Sequence, residues 1–226
     1  MEGKTVSPEK PLRIIYCIPG NTFTGHFLES WTSEMMFCSE NNIQWALSRK
    51  ESNNIYYVRN MRLGADVTRG KHQKPFDGKV DYDYLMWIDS DIIFKPGQIM
   101  QLLRHKADII SGLYLMGDGR RFATVKNWDE ERFKKEGSFR FLTPEDIKDV
   151  HDPFDVSYTG MGFMLIKKGV FESMEYPWFE PRKHEIGDMV DYSMEDVSFC
   201  LRAKEMGFCV RVDPKVIVGH EKKVIL

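Results

Sequence analysis

Short apolar runs alternate along this chain with stretches of helical periodicity, and the pattern predicts an α/β fold. The apolar runs are too short for helices and predict buried strands. The strands are expected at 13–18, 43–47, 84–88, 108–114, 162–166, 208–212 and 216–218. The clearest helical stripe consists of Phe27, Trp31, Met35 and Cys38. Further helices are expected at 54–65, 95–103, 168–174 and 194–206.

Three segments interrupt this alternation. Residues 70–80 are rich in Lys, Gly and Pro, which predicts a surface loop or a lid. Residues 117–150 carry a dense run of charges and are expected to form an excursion without regular elements, and 176–191 are aromatic but irregular. The succession of strands and helices in the first half predicts one α/β domain, with a central, mostly parallel sheet flanked by helices.

Composition and charge narrow the class of partner. The chain has 226 residues, of which 42% are apolar and 13% aromatic, enough for one sizeable core. A net charge of −2 gives no overall attraction to nucleic acid or to an anionic membrane, so an anionic ligand must be held locally. No segment reads as a signal peptide or a transmembrane span, so we expect a cytoplasmic location. Whether further domains follow Leu226 stays open.

Four cysteines are present, and none forms a Cys-x-x-Cys pair. All of them fall in or beside apolar segments, which favours reduced, buried thiols over a zinc site or a disulfide framework. They are Cys17, Cys38, Cys200 and Cys209.

The predicted strand at 84–88 is followed directly by Asp89, Ser90 and Asp91. Of all features of the sequence, this placement says the most about function. Residues two apart at a strand end project to the same side. Both carboxylates are therefore expected to face the crevice at the carboxyl ends of the strands, where open α/β sheets bind ligands. Paired carboxylates there suit a divalent cation that holds a diphosphate.

A second Asp-x-Asp, formed by Asp81 and Asp83, precedes the same strand. The 17 aspartates of the chain would produce about one such motif by chance, so position has to separate the two. Because Asp81 and Asp83 lie before the apolar run, we expect them in a turn with solvated side chains.

His220 is the candidate third ligand for a cation at Asp89 and Asp91, because it follows the predicted strand 216–218. A lone histidine is more often a surface or capping residue, and that alternative stays open. Mixed oxygen and nitrogen ligation would favour Mn²⁺ over Mg²⁺ or Ca²⁺.

Glu195 and Asp196 begin the predicted helix 194–206. Acidic side chains are common in a first helical turn because they complement the helix dipole, and taken alone this explanation is favoured. The functional alternative is a carboxylate base that takes a proton from an attacking hydroxyl.

Small and basic residues supply weaker signals. Gly160, Met161 and Gly162 allow a ligand or a neighbouring segment to approach closely, although a β-bulge explains them equally well. Arg59 and Arg62, on the helix before the strand 84–88, either reach phosphates or lie on a solvated face.

Taken in order, these segments resemble glycosyltransferases of the GT-A fold, close to the family-2-like group that uses nucleotide-sugar donors. The matching segments span nearly the whole chain. They are the first strand through Ile18 and Pro19, 58–60, 86–93 (MWIDSDII), 111–114, 159–167 (TGMGFMLIK), 194–202 (MEDVSFCLR) and 212–220 (VDPKVIVGH).

The resemblance implies a Rossmann-like nucleotide-diphospho-sugar transferase domain, with a nucleotide-sugar-binding half at 1–115 and an acceptor-binding half at 116–226. It implies metal-dependent transfer of a sugar from a UDP- or GDP-sugar to a hydroxyl acceptor, such as a glycan, with inversion expected. The cofactor would be Mn²⁺ or Mg²⁺, and neither nucleic acid nor a transmembrane segment is expected.

Residue roles follow from the resemblance. Asp89 and Asp91 would ligate the metal with His220, and Asp196 would be the catalytic base, with Glu195 as the second choice. The remaining donor contacts would come from Pro19, Gly20, Asn21, Arg59, Arg62 and Ser90. The acceptor side would include Gly160, Met161 and Gly162.

Two positions depart from the family pattern. Met194 stands where relatives often have Ser, and Leu115 and Met116 stand where a basic residue is usual, so Arg120 or Arg121 would have to supply that charge. Two alternatives remain: a nucleotide-sugar or glycan binding module without turnover, and, less favoured, a phosphatase whose nucleophile is the first Asp of the motif.

Overall fold

The computed structural model describes residues 10–222. The strands are β1 (Leu12–Cys17), β2 (Ile43–Ser48), β3 (Tyr84–Ile88), β4 (Ile92–Ile93), β5 (Ile109–Leu113), β6 (Thr124–Val125), β7 (Phe154–Asp155), β8 (Tyr158–Thr159), β9 (Phe163–Lys167), β10 (Arg182–Ile186), β11 (Met189–Ser193), β12 (Val210–Ile217) and β13 (Gly219–His220). The α-helices are α1 (Gly25–Glu40), α2 (Ile55–Arg62), α3 (Gln98–Arg104), α4 (Glu130–Glu136), α5 (Pro144–Ile147), α6 (Val170–Ser173) and α7 (Glu195–Glu205). Two 3-10 turns occupy Val67–Arg69 and Pro75–Gly78.

A seven-stranded sheet in the order β2-β1-β3-β9-β5-β12-β7 forms the centre of the molecule. β1 pairs in parallel with β2 and β3, and β5 pairs in parallel with β12. β9 runs antiparallel between β3 and β5, and β7 is an antiparallel edge strand. Five strands therefore share one direction, which confirms the predicted mixed, mostly parallel sheet.

Side chains alternate between the two faces of the sheet along each strand, and each face packs against a hydrophobic core cluster. On β3, Leu85 and Trp87 join one core cluster, which also contains Phe171 of α6 and Phe199 of α7. Met86 and Ile88 join the cluster on the opposite face, with Phe27 of α1 and Ile99 of α3. The carboxyl end of β3 is thereby fixed between two packed layers.

Side-chain caps begin the two helices that lead to the site. The Thr24 hydroxyl accepts a hydrogen bond from the Phe27 amide at 3.2 Å and starts α1. The Asn54 side chain accepts from the amides of Tyr56 and Tyr57 and starts α2. Such caps satisfy amides that have no partner within the helix.

The prediction of an irregular segment at 117–150 was wrong. It contains β6, α4 and α5, and α4 has the signals of a helix at both ends. Asp129 accepts from the Arg132 amide, Gly137 ends the helix at φ 68°, and Phe133 supplies a buried apolar contact. A dense run of charges on the solvated face masked this pattern.

The aromatic stretch at 176–191 was also mispredicted, because it contains most of the β10–β11 hairpin, which turns at Gly187 with φ 62°. The two closing strands expected at 208–212 and 216–218 form one strand, β12, whose register shifts between Val212 and Ile217. Pro214, which has no amide hydrogen to donate to a ladder, lies within that shift.

Two further expectations need correction. Cys17, Cys38 and Cys200 are buried free thiols, but Cys209 is exposed. Asp81 and Asp83 are not simply solvated, because both carboxylates pair with the guanidinium of Arg13 on β1, Asp83 at 3.0 Å. Among residues 10–222, no helix combines the length and apolar character needed to cross a bilayer.

Candidate functional site

The turn that follows β3 carries Asp89 and Asp91 and is fixed by backbone hydrogen bonds. The Asp89 amide donates to the carbonyl of Gly162 at 3.0 Å, and the Ile92 amide donates to the carbonyl of Asp89 at 3.0 Å. β13 then pairs with β4 so that His220 lies opposite Ile92. A residue 129 positions further along the chain thereby reaches the aspartate turn.

Asp91 is surrounded by cationic hydrogen-bond donors. His220 donates from Nδ1 to the carbonyl of Leu115 at 2.6 Å, so its Nε2 faces Asp91 Oδ2, at 3.2 Å. Lys222 Nζ contacts the same oxygen at 2.6 Å. The hydrogen bond with Asp91 raises the pKa of His220. Partial burial opposes ionisation of Asp91, but the bonds from His220 and Lys222 prevail and lower its pKa to about 2.

The three expected metal ligands are not assembled in this conformation. Across residues 10–222, no group of three or more His, Cys, Asp or Glu side chains is arranged to hold a metal ion. Asp91 and His220 are in contact, whereas Asp89 turns toward the guanidinium of Arg59. The attraction of this buried cation accounts for the departure from the predicted shell.

The side-chain atoms at Asp91 are nevertheless of the kind that ligate a hard cation. Because the carbonyl of Leu115 accepts the Nδ1 hydrogen, loss of the Nε2 proton to an incoming cation would leave the Nε2 lone pair directed toward Asp91, the orientation that metal-binding histidines adopt. The ammonium of Lys222 already lies against Asp91. Carboxylate and imidazole together favour Mn²⁺ over Mg²⁺.

Arg59 connects the aspartate turn to the head of α7. Its side chain is only 3% exposed. Nη2 donates to Asp89 at 3.1 Å, and Nε donates to Glu195 at 2.9 Å. Its guanidinium also lies 5.6 Å from the ring centroid of Trp87. Arg59 therefore bridges two carboxylates and does not lie on a solvated face.

The two carboxylates at the head of α7 differ in environment. Glu195 is buried and held by Arg59, whereas Asp196 is only partly buried and bonds to the adjacent Val197 amide at 2.7 Å. Burial raises the pKa of Asp196, and the charge of Glu195 raises it further, to about 6. Asp196 is therefore the carboxylate placed to exchange a proton near neutral pH.

A cleft of about 320 Å³ opens beside the aspartate turn. Its lining residues are Pro19, Gly20, Ser52, Asn53, Ile55, Val58, Asp89, Ser90 and Asp91. A second cleft of similar volume adjoins it and adds Asn21 and Glu51. Residues 51–53 were missed by the sequence reasoning. The signal was present, because they follow β2, which ends at the same sheet edge as its parallel neighbour β1.

Gly20 allows the loop after β1 to pack directly on the aspartate turn. It adopts φ 121°, and a Cβ there would lie 2.6 Å from Ser90 Oγ. Arg62 holds the same loop from below, since it donates to the carbonyl of Ser48 at 2.6 Å and to that of Gly20 at 3.4 Å. Its side chain is buried, so in this conformation Arg62 supports the loop.

Gly160 and Gly162 surround the ring of Tyr114. A Cβ on Gly160 would lie 2.0 Å from the Tyr114 hydroxyl, and one on Gly162 would lie 2.8 Å from Cζ. The Tyr114 hydroxyl also accepts from the Gly162 amide, and its ring packs edge-on against His220 at 5.1 Å. Met161 is buried in the core. The close approach expected here is thus made by Tyr114, a residue that was not singled out from the sequence.

The sequence of this chain matches no family model and no curated protein. Many solved structures are similar to it, and two of them illustrate the likeness. A197 from STIV has a TM-score of 0.51 and 15% identity, over 95% of this chain and 96% of that one. GalNAc-T7, crystallised with UDP, GalNAc and Mn²⁺, has a TM-score of 0.50 and 9% identity, over 96% of this chain and 45% of that one. The chain therefore spans less than half the length of GalNAc-T7.

The likeness to these structures concerns the fold. GalNAc-T7 is a GT-A glycosyltransferase, and the seven-stranded mixed sheet with helices on both faces corresponds to that class. The chain has a GT-A-like fold, as its sequence segments predicted.

Proposed function

We propose that this protein is a metal-dependent glycosyltransferase that moves a sugar from a UDP- or GDP-sugar to a hydroxyl acceptor, with a glycan as the expected acceptor and inversion as the expected outcome. Residues 1–115 bind the donor and 116–226 the acceptor, and the cytoplasmic location remains a prediction. GalNAc-T7 was crystallised with a nucleotide, a sugar and Mn²⁺, which agrees with this class of reaction.

The observation that carries the proposal is the meeting of four separate segments at one end of the sheet. The turn after β3 brings Asp89 and Asp91, β13 brings His220, α2 brings Arg59, and the head of α7 brings the Glu-Asp pair. A chain folded only for stability has no need to collect these charges beside an open cleft.

The donor lies in the cleft beside Gly20 in this proposal. Pro19, Gly20 and Asn21 contact the nucleotide, and Ser90 lies at the turn itself. Asp89, Asp91 and His220 would hold Mn²⁺ or Mg²⁺, which neutralises charge on a departing diphosphate. Binding of the cation requires Asp89 to exchange its contact with Arg59 for the metal.

Asp196 acts as the base. It accepts the proton of the acceptor hydroxyl as the acceptor oxygen bonds to the anomeric carbon and the bond from that carbon to the phosphate oxygen breaks. The nucleoside diphosphate leaves with the bonding electrons. Burial raises the pKa of Asp196, and the neighbouring Glu195 carboxylate, which Arg59 holds in place, raises it further.

A panel of UDP- and GDP-sugars, tested for binding and slow hydrolysis with Mn²⁺ and with chelator, provides the experiment. We expect at least one nucleotide sugar to bind in a Mn²⁺-dependent manner. If no member of the panel binds or is hydrolysed, the proposal is wrong.

A binding module without turnover is the second candidate. The contact of Lys222 with Asp91 favours it, because that ammonium lies where the metal would bind and has to move first. Donor binding with no product under any acceptor, and with no hydrolysis, would support this reading over the transferase.

A further inference from the structure

A second pocket, with a volume of about 160 Å³, opens next to the head of α7. Met194 and Val197, which flank the Glu-Asp pair in the sequence, both line it. Its other lining residues are Trp128, Phe139, Tyr158, His184, Ile186, Asp191, Tyr192 and Ser193. Most of these come from the β10–β11 hairpin and from the segments around α4, none of which contacts the donor cleft.

Aromatic rings form the body of this pocket. Trp128 packs on Phe139 with ring centroids 4.2 Å apart and on His184 at 5.2 Å. Tyr158 packs edge-on against Trp128 at 6.3 Å. Tyr192, by contrast, is 65% exposed at the edge of the pocket. Aromatic faces carry partial negative charge and attract the C–H groups of a ligand.

Polar groups stand among these rings. His184 Nε2 lies 2.9 Å from the Ser193 hydroxyl, which itself donates to the Arg182 carbonyl. The hydroxyl therefore accepts the Nε2 hydrogen, and Nδ1 keeps its lone pair. Burial lowers the pKa of His184, which keeps the ring neutral. Asp191 adds a carboxylate to the pocket lining.

We propose that this pocket binds a sugar ring of the acceptor and presents one of its hydroxyls to Asp196. Aromatic faces combined with an imidazole, a carboxylate and a hydroxyl suit a ring that has both C–H faces and hydroxyl edges. An acyl chain could donate no hydrogen bond to His184 Nδ1 or to the Asp191 carboxylate. The inference rests on the proposed transferase function for the role of Asp196, but the sugar binding itself does not.

Saturation-transfer NMR with the methyl glycosides of glucose, galactose, mannose, GlcNAc and GalNAc tests this directly, on the full chain and without nucleotide or metal. At least one glycoside is expected to bind. Tyr192→Ala and His184→Ala should weaken that binding about fivefold or more. Tyr192→Phe keeps the ring and should retain it. Trp45→Ala, which removes another exposed aromatic ring, from β2, should have no effect.

Several results would overturn the inference: no glycoside binds, binding survives Tyr192→Ala and His184→Ala, or decanoate binds in a Tyr192-dependent manner while the glycosides do not. Nucleotide-sugar binding, measured on the same variants, separates this inference from the proposed function. Glycoside binding without nucleotide-sugar binding would leave the pocket standing and refute the transferase. Nucleotide-sugar binding without glycoside binding would refute the sugar pocket and leave the proposed transferase function standing.

Discussion

Arg59 connects the aspartate turn, on the proposed donor side, to the head of α7, on the proposed acceptor side. It contacts Asp89, 30 positions away in the sequence, and Glu195, 136 positions away. The sequence suggested a phosphate contact or a solvated face, because spacing on a helix shows which residues share a face but not which distant carboxylates meet them. Burial of the side chain makes its two ion pairs interdependent.

Replacing Arg59 by Met should destabilise the protein by about 3 kcal/mol, because Glu195 would be left buried without its partner. Urea unfolding at neutral pH measures the change. The control is Arg120→Met, at an exposed position, which should shift stability by less than about 0.5 kcal/mol. Equal, small effects of both substitutions would show that the Arg59 bridge contributes little.

The raised pKa of Asp196 predicts how the transfer rate depends on pH. Because its pKa is raised to about 6 and a base must be unprotonated to act, kcat/KM should fall as pH decreases through 6 and level off above 7. Asp196→Asn should lower kcat by about 10² to 10⁴-fold, with folding retained. Asp188→Asn, in the hairpin turn, is the matched control. A rate that is flat from pH 5 to 8 would exclude Asp196 as the base.

The parts of the site that followed from the sequence are those fixed by local order. Asp89 and Asp91 lie at a strand end because the apolar run before them makes a buried strand. His220 was a candidate because it follows the predicted strand 216–218, but it reaches the aspartate turn through the long-range pairing of β13, which contains it, with β4. The contact between Tyr114 and the two glycines was not foreseeable, since β5 and the segment before β9 are separated by more than forty residues.

At the scale of elements, the loop after β1 and the turn after β3 act as one unit. They touch through Gly20 and Ser90, and the small size of Gly20 decides how closely they approach. The hairpin β10–β11 and helix α4, by contrast, were missed because few of their residues are buried. Most of their side chains are charged, so no apolar periodicity is visible in the sequence. Contacts with the rest of the protein, such as that of buried Phe133, stabilise these elements.

Gly20→Ala tests the first of these units. The Cβ of the new alanine would clash with Ser90, and the backbone at this position has a positive φ that residues other than glycine rarely adopt. The turn should therefore shift. Nucleotide-sugar affinity should fall at least about tenfold, as measured by calorimetry. Gly25→Ala, whose Cβ would meet nothing within 4 Å at the start of α1, should leave affinity unchanged. If Gly20→Ala bound the nucleotide sugar with unchanged affinity, the loop after β1 would not be part of the donor site.

At the scale of the whole molecule, the succession of strands and helices was sufficient to predict a mixed, mostly parallel sheet with a site at its carboxyl edge. The antiparallel insertion of β9 between β3 and β5 was not, because strand order depends on long-range pairing. That insertion matters for function, since the residue just before β9 accepts the hydrogen bond from Asp89 that holds the aspartate turn.

In the proposed function, one end of this sheet binds a nucleotide sugar through a cation and transfers its sugar with a separate carboxylate. Calorimetric titration of the donor in Mn²⁺, with Asp91→Ala and Asp196→Ala compared side by side, tests this proposal most directly. We predict that Asp91→Ala abolishes Mn²⁺-dependent binding, whereas Asp196→Ala retains it and loses transfer. Equal loss of binding in both variants, or full binding in Asp91→Ala, would contradict it.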